Sequence, residues 1–212
     1  MLIEVHPENA DDRKIEQIVH ILENDGLIVI PTDTIYAFAV SLNSKKGLEK
    51  LAKIKEVKLK KSEFSLILNS LSSISNYTKP IDRRIFRVIK NAIPGPFTFI
   101  LQANNQVSKL FGSNKKEVGI RIPNHGLTSS IIEKLNHPLV SSSVHDQDEI
   151  IQYTTDPFAI FERHEHEVDA VVDCGFGNNV ASTIVDCRTE EPSILRQGAG
   201  LSLIHISEPT RR

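Results

Sequence analysis

A row of serines on one predicted strand offers hydroxyl groups to a polar ligand. Successive side chains of a strand point to opposite faces of a sheet. If residues 139–145 form a strand, Ser141, Ser143 and His145 therefore share one face, and the residues between them share the other. The first face is then a continuous row of hydrogen-bonding groups, which indicates a binding surface.

Two arginines lie on strand-like segments where an anionic ligand could reach them. In "VGIRIP", residues 118–123, the same alternation turns the aliphatic side chains toward the core and Arg121 toward the opposite face, beside Gly119. A guanidinium group is a planar fork of donors that fits carboxylate or phosphate oxygens. A surface ion pair is the alternative interpretation for Arg121, and both interpretations also apply to Arg196 in "ILRQGAG".

Two shorter motifs give weaker signals for the same chemistry. In "IPGPFTFIL", residues 93–101, a Pro-Gly-Pro corner stands directly before a strand with Thr98 near its start. Such a rigid corner can present backbone amides to an anion, although ordinary turn chemistry explains it equally well. Ser182 in "STIVD" is a signal of similar strength.

The densest basic run is "KIKEVKLKK", residues 53–61, which holds five lysines. Such a cluster attracts polyphosphate or an RNA backbone, and a solvated helix end is the alternative. His164 and His166 lack the i, i+4 spacing of a helical zinc pair, so we predict no metal site there. Because the common phosphate-binding loops are absent from the sequence, a nucleotide would have to bind in another way.

These residues are distributed over alternating strand and helix patterns. Interleaving of this kind predicts a layered α/β domain with a large twisted sheet, either parallel or mixed. The predicted strands are 27–30, 37–42, 64–68, 97–101, 118–122, 139–144, 168–174, 182–187 and 193–196, and the predicted helices are 15–23, 47–57, 82–91, 127–135 and 157–164.

The whole chain has the composition of one globular domain. It has 212 residues, 40% of them hydrophobic, and a formal net charge of -2, which gives no general reason to expect a nucleic-acid or membrane binder. No stretch approaches the apolar length that spans a bilayer, so we expect a soluble cytoplasmic protein. We predict one domain over residues 1–200 with an appended tail at 201–212, and packed, reduced thiols at Cys174 and Cys187.

Taken together, the motifs resemble the YrdC-like family, which includes the threonylcarbamoyl-AMP synthases. The resemblance covers roughly residues 14–200, and the wording from "FSLILNSLSSISNY" to "IPGPFTFIL" is most similar to the YciO branch. It implies an α/β fold, a twisted mixed sheet flanked by helices around a concave basic cavity. The motifs that carry it, in family order, are "PTDTIYAFAV", "AKIKEV", "IPGPFTFIL", "VGIRIPNHGL", "PLVSSSVHD", "VDAVVDCG", "STIVDC" and "ILRQGAG".

The resemblance implies a reaction and a set of site residues. The synthases use L-threonine, bicarbonate and ATP with Mg²⁺ to form threonylcarbamoyl-AMP and pyrophosphate for tRNA modification, and no side-chain nucleophile is needed. By this resemblance the residues expected to act at the reacting groups are Lys55, Arg121 and Ser143, and those expected to bind substrate are Thr32, Thr34, Tyr36, Thr98, Ser141, Ser182 and Arg196.

Two positions depart from the synthase pattern, and they keep a second function open. The synthases carry Lys-x-Arg after the first helix and Ser-x-Asn on the serine strand, whereas this chain has Val57 and His145 at the second position of each pair. The YciO branch shares both losses, which implies weak or altered activity. Lys58, Lys60 or Lys61 are possible replacements for the lost arginine. The alternative is a non-catalytic protein that binds tRNA or double-stranded RNA through the same cavity.

Overall fold

The computed structural model describes residues 1–111, 115–145 and 154–200. The strands are β1 (Leu2–Glu4), β2 (Leu27–Ile30), β3 (Ala37–Ser41), β4 (Ser65–Ile67), β5 (Phe97–Gln102), β6 (Glu117–Arg121), β7 (Leu139–Ser143), β8 (Ala170–Asp173), β9 (Thr183–Asp186) and β10 (Ser193–Arg196). The α-helices are α1 (Asp12–Glu23), α2 (Lys45–Ile54), α3 (Arg83–Ala92), α4 (Asn105–Leu110), α5 (Gly126–Leu135) and α6 (Pro157–His164), and 3₁₀ turns span Leu59–Lys61 and Ser72–Asn76.

Every strand and helix predicted from the sequence is present, with ends within three residues of the expected ones. Two further elements, β1 and α4, escaped prediction because three and six residues are too short to show a period. The predicted tail at 201–212 lies outside the described residues, so the division of the chain at residue 200 stays a prediction.

The ten strands form one mixed sheet in the order β1-β8-β2-β3-β7-β4-β6-β5-β9-β10. Neighbours pair in parallel where β8 meets β1 and β2, where β4 meets β6 and where β5 meets β9. The other neighbouring strands are antiparallel. The sheet is therefore neither a doubly wound parallel sheet nor a barrel, which confirms the mixed α/β fold.

Helices cover the two faces of the sheet unequally. On one face, apolar side chains along the sheet pack with those of α2, α3, α4 and α6 in a single large core. On the other face, α1 and α5 pack with residues of β1, β8, β2 and β3 and with Ile67 and Leu139. No residue of β5, β6, β9 or β10 belongs to this second core. Among the described residues, no helix packs on the half of the second face over these strands.

Small side chains line this uncovered half of the sheet. Strand pairing places Ser65 between Ser141 and Gly119, and the same face holds Ala37 on β3. The pairing of β4 with β6 needs the glycine, because a Cβ at Gly119 would lie 2.5 Å from the hydroxyl oxygen of Ser65. A row of small residues on a half-covered sheet produces a concave surface. In the described residues, none of the helices has the length and apolar character that crossing a membrane requires.

Both cysteines are free thiols near the ends of strands, with Cys187 buried and Cys174 partly buried. Burial and the neighbouring Asp186 raise the pKa of Cys187 to about 12, and burial and Asp173 raise the pKa of Cys174 to about 11. At pH 8 both groups are therefore protonated, and thiols react through the thiolate.

We expect iodoacetamide at pH 8 to leave Cys187 unmodified in the native protein and to modify Cys174 slowly. Both should react fully in denaturant, where the pKa of each thiol returns to its ordinary value. Mass spectrometry of the native and unfolded protein over time measures this. Modification of native Cys187 at the rate of the unfolded chain would contradict the packing described here.

Candidate functional site

The uncovered half of the sheet forms the floor of a cavity of about 530 Å³. This volume lies within the range of small-molecule sites, about 300–1,000 Å³. Its walls come from the end of α2, the segment before β4, the end of β7 and the β9–β10 region. The cavity brings together seven of the ten predicted site residues, namely Lys55, Thr98, Arg121, Ser141, Ser143, Ser182 and Arg196.

Arg121 lies on the face that the alternation argument predicted, and it forms a buried ion pair rather than the surface ion pair that was the alternative interpretation. Arg121 is not a solvated surface arginine, since its side chain and that of Asp33 are each only 9% exposed. Its Nη2 donates to Asp33 Oδ1 over 2.8 Å and to the Thr34 hydroxyl over 2.9 Å. The ion pair is thus buried beside the cavity, and Arg121 still lines the cavity wall.

The remaining donors of Arg121 are incompletely used. Its Nε is buried and has no hydrogen-bond partner among the described residues. Burial lowers the pKa of Arg121, and the nearby Arg196 lowers it further, while Asp33 opposes both effects. A guanidinium group nevertheless stays protonated at physiological pH. A buried donor without a partner costs free energy, which an acceptor on a ligand would recover.

Thr32 and Thr34 lie beneath the cavity and do not belong to its lining. Both are buried and hydrogen-bond to each other through their hydroxyls over 3.1 Å, and Thr32 also donates to the carbonyl of Ile35. From this segment, Ile35 and Ala37 reach the cavity instead. In the structure the two threonines therefore shape the loop that carries Asp33, and their expected contacts with substrate stay predictions.

Tyr36 was expected to wall the pocket, but its ring is buried in the large core and is not part of the lining. The phenol donates to the carbonyl of Gly175 over 2.7 Å and accepts from the amide of Cys174 over 3.3 Å. Strand alternation explains this placement, because Tyr36 and Ala37 point to opposite faces and Ala37 faces the cavity.

A second polar group lies at β5, β9 and β10, next to the strand that carries Arg121. The hydroxyls of Thr98 and Ser182 are 2.8 Å apart on the neighbouring strand ends. Arg196 donates to the carbonyl of Ser182 through Nη2 over 2.9 Å and more weakly through Nε. These three residues come from three chain segments that only the β5-β9-β10 pairing brings together.

Lys55 reaches the cavity from the end of α2. Leu48, Leu51 and Ala52 bury one side of this helix, and Lys55 is the residue at its C-cap. Its amine donates to the carbonyl of Ser143 over 3.1 Å. Burial lowers the pKa of Lys55, so its charge is lost at a lower pH than that of an exposed lysine, and a bound anion would raise the pKa again.

The rest of the described lining is mainly basic and apolar. Lys61 joins Lys55, Arg121 and Arg196 as a fourth cation, whereas Glu63 is the one carboxylate in the described part of the lining. Lys58 and Lys60 do not reach it. The two positions that depart from the synthase pattern, Val57 and His145, both line the cavity. Ser142 lines it too, against the strict alternation expected on β7, because it lies next to the end of that strand.

A family model described as Sua5/YciO/YrdC, telomere recombination, matches residues 20–198. The chain belongs to the Sua5/YciO/YrdC family. Relatives include a Haemophilus influenzae protein with 34% identity over 197 residues, covering 92% of this chain and 94% of the relative. Escherichia coli YciO shares 31% identity over 198 residues with the same coverage. The threonylcarbamoyl-AMP synthase of Coxiella burnetii shares 26% identity over 137 residues, or 65% of this chain and 73% of the synthase.

Solved structures place the fold in the same Sua5/YciO/YrdC family. The crystal structure of E. coli YciO superposes with a TM-score of 0.85 at 30% identity, covering 94% of this chain and 96% of YciO. P. abyssi Sua5 complexed with L-threonine superposes with a TM-score of 0.83 at 21% identity, covering 93% of this chain and 57% of Sua5. The predicted family and fold are thus confirmed, and at the level of the family they connect the chain to transferases of tRNA modification.

Sequence reasoning missed Asp33, the partner of Arg121. Asp33 is part of the motif "PTDTIY". Aspartates are common in turns, so the sequence gave no indication that this carboxylate is buried. Asp33 lies in the loop between β2 and β3, and this loop places it at the end of β6. Strand alternation makes no prediction for a loop residue, and the family resemblance named only the neighbours of Asp33. The available signal was an arginine within a predicted sheet strand, because an arginine that becomes buried there almost always has a partner of opposite charge.

Tyr36→Phe should separate a structural role from a ligand-binding one. Removing the phenol oxygen leaves the Cys174 amide and the Gly175 carbonyl without this partner, which costs about 1–3 kcal/mol of unfolding free energy. We expect urea unfolding to show this loss while the affinity of ligands for the cavity stays unchanged. A Tyr36→Phe protein of normal stability with weakened ligand binding would instead support the contact with substrate that the family resemblance implied.

Proposed function

We propose that this protein is a threonylcarbamoyl-AMP synthase-type nucleotidyltransferase of the cytoplasm, with weak or altered activity. The observation that carries the proposal is the convergence of seven predicted residues from separate elements on one cavity of about 530 Å³. Four cations, with one carboxylate in the described lining, suit a ligand that carries several negative charges. ATP, L-threonine and bicarbonate are the proposed substrates, and tRNA is the destination of the product.

The reaction needs positioning and charge stabilisation rather than a nucleophilic side chain. The amino nitrogen of threonine attacks the carbon of bicarbonate, and loss of water gives a carbamate. A carbamate oxygen then attacks the α-phosphorus of ATP, the bond to the β-phosphate oxygen breaks, and pyrophosphate leaves. Carboxylates and phosphates are crowded together at this point, so fixed cations and hydroxyl donors lower the barrier.

The cavity residues divide this work by their positions. Lys55 and Arg121 face the reacting anionic groups, with Ser141 and Ser143 offering hydroxyls to carboxylate or phosphate oxygens. Arg196, with Thr98 and Ser182 beside it, holds the phosphate end of the nucleotide.

Mg²⁺ enters as part of the ATP substrate. Among the described residues there is no group of three or more His, Cys, Asp or Glu side chains that could hold a metal ion. Mg²⁺ is commonly held by one or two carboxylates together with substrate phosphates. Glu63 is the cavity residue of the appropriate chemistry, and the phosphates themselves supply the other oxygens.

Two relatives support the choice of substrates. One is named threonylcarbamoyl-AMP synthase, and the superposable Sua5 was crystallised with L-threonine. The higher identity to YciO and the residues Val57 and His145 support weak or altered activity. Valine cannot donate to a phosphate, and Lys61 is the cation in the lining that could partly replace the missing arginine.

A non-catalytic RNA-binding protein is the second candidate, and one observation favours it. The amine of Lys115 donates to the carbonyl of Ser62 over 2.6 Å, which ties the segment of Lys115 and Lys116 to the lysine-rich turn at Leu59–Lys61. Lysines from two separate segments therefore meet beside the cavity. A polyanion such as tRNA would bind such a surface with strong salt dependence.

Pyrophosphate release tests the proposed function. Purified protein with ATP, Mg²⁺, bicarbonate and L-threonine should release pyrophosphate only when threonine is present. Lys55→Met should lower the rate about 100-fold, because it removes a donor aimed at developing charge. The matched control is Lys53→Met, an exposed lysine of the same helix outside the cavity, which should change the rate by about twofold or less. Absence of threonine-dependent release, together with salt-sensitive binding of tRNA, would favour the second candidate.

A gain-of-function variant tests the interpretation of Val57. Val57 is 39% exposed and lines the cavity, so an arginine at this position has space and can reach bound phosphate. A new hydrogen bond between charged groups is worth about 1.5–3 kcal/mol, so Val57→Arg should raise the rate about 10-fold or more. Val57→Met controls for side-chain size and should leave the rate unchanged. Equal rates for the wild type and Val57→Arg would show that the lost arginine does not limit activity.

A further inference from the structure

Asp33 is a buried carboxylate next to the cavity that does not itself line it. Its two oxygens are used by different segments of the chain. Oδ1 accepts from Arg121 Nη2 over 2.8 Å, and Oδ2 accepts from the backbone amide of Asn124 over 3.1 Å. The carboxylate therefore joins the β2–β3 loop to the end of β6 and to the turn that leads into α5.

The loop that carries Asp33 is held in place from several directions. Asn178 donates through its side chain to the carbonyl of Asp33 over 3.2 Å and through its backbone amide to the carbonyl of Thr34 over 3.0 Å. The hydroxyl of Thr128 on α5 donates to the carbonyl of Pro31 over 2.8 Å. With its backbone anchored in this way, Asp33 is a fixed reference point for the guanidinium group.

The contacts of Arg121 show what this reference point does. Nη2 is used by Asp33 and Thr34, while Nε lacks a partner and the side chain forms part of the cavity wall. The protein thus holds Nη2, while Nη1 donates to no described residue and the side chain lines the cavity, so the guanidinium group can still donate to a ligand. An arginine side chain has many rotamers, and holding it in one of them in advance removes an entropic cost from binding.

Asp33 also changes the charge that a ligand meets. The pair of Asp33 and Arg121 is neutral overall, whereas Lys55 and Arg196 have no ion pair with a described carboxylate. A neutral pair with a free donor suits a singly charged carboxylate, which needs directed hydrogen bonds. A triphosphate gains more from the cations without such an ion pair, Lys55 and Arg196.

We propose that Asp33 is a positioning residue that orients Arg121 toward the carboxylate of the amino-acid substrate, an inference that rests on the proposed function. Asp33 does not touch the substrate. Its effect passes through the guanidinium group, so its loss should weaken the use of the amino acid and leave the use of ATP nearly unchanged.

Steady-state kinetics of Asp33→Asn test this proposal. Asparagine keeps the shape and one oxygen acceptor but removes the charge that fixes Arg121. We expect KM for L-threonine to rise about 10-fold or more and KM for ATP to change by about twofold or less. The matched control is Asp169→Asn, which removes the charge of another carboxylate that accepts from a cation, Lys50, and from a backbone amide, that of Leu27, but is not part of the cavity lining; it should leave both constants within about twofold. A rise of both constants together, or of neither, would overturn the proposal.

Side-chain NMR gives a readout that does not depend on turnover. In protein labelled with ¹⁵N-arginine, the Nε–H signal of Arg121 is assigned by its absence from Arg121→Lys. Asp33→Asn should broaden or shift this signal, and Asp33→Glu, which keeps the charge, should restore it in part and provides a second variant if the asparagine protein does not fold. An unchanged signal in Asp33→Asn overturns the positioning role. If the wild type releases no pyrophosphate, the proposed function fails, and NMR alone then decides whether Asp33 holds Arg121.

Discussion

The buried ion pair of Asp33 and Arg121 is the contact on which the organisation of the site depends. Removing two charges from water is costly, and the cost is recovered only when the geometry is good and the remaining polar atoms find partners. Here Thr34 and the Asn124 amide supply partners, and three chain segments are fixed relative to one another as a result. The exception is Nε of Arg121, which is buried and has no partner among the described residues. The protein thus accepts an incompletely satisfied cation in the wall of the cavity.

The cavity exists because the sheet is covered unequally. Helices α1 and α5 pack on one half of the second face. On the other half, the side chains on β7, β4 and β6 are small, so the space above these strands stays open. A leucine in place of Ser65 or Ser141 would extend the apolar core and fill the space. The same alternation that buries Leu66 and Val140 in the large core therefore places hydroxyls on the cavity floor. On these strands a single alternating pattern determines both the apolar core and the cavity floor. A substitution that disturbs the packing of these strands is therefore expected to change the shape of the cavity as well.

Strand periodicity explains why so much of the site could be predicted. Arg121, Ser141 and Ser143 lie within regular strands, where a period of two residues determines the face of each side chain. Thr98, Ser182 and Arg196 gave only weak or ambiguous signals in their own motifs and were assigned to the site through the family resemblance, and pairing of distant strands brings them together. Prediction failed where the backbone leaves the regular pattern. In the loop after β2 the resemblance could name Thr32, Thr34 and Tyr36, but it could not show that their polar groups are used within the protein. Asp33, in the same loop, was overlooked because its burial depends on contacts with segments about 90 residues away.

The distribution of charge in the cavity gives a physical reason for valine at position 57, one of the two departures from the synthase pattern. Lys55 is partly buried and its pKa is lowered by that burial, so an additional arginine at position 57 would bring a further cation close to an amine that is already costly to charge. A valine at position 57 avoids this repulsion with Lys55 in the empty protein. The same valine cannot donate a hydrogen bond to a phosphate. Lys61 is exposed and has a long side chain, so it can approach an anion once the anion is bound. When the cavity is empty, Lys61 can remain in water, and it then adds no repulsion to Lys55. Exchanging a fixed guanidinium for a mobile ammonium keeps the attraction for a polyanion but loses the directed hydrogen bonds that hold a phosphate in one geometry. On the proposed function we therefore expect binding to be retained better than catalysis, because the transition state depends on direction more than the ground state does.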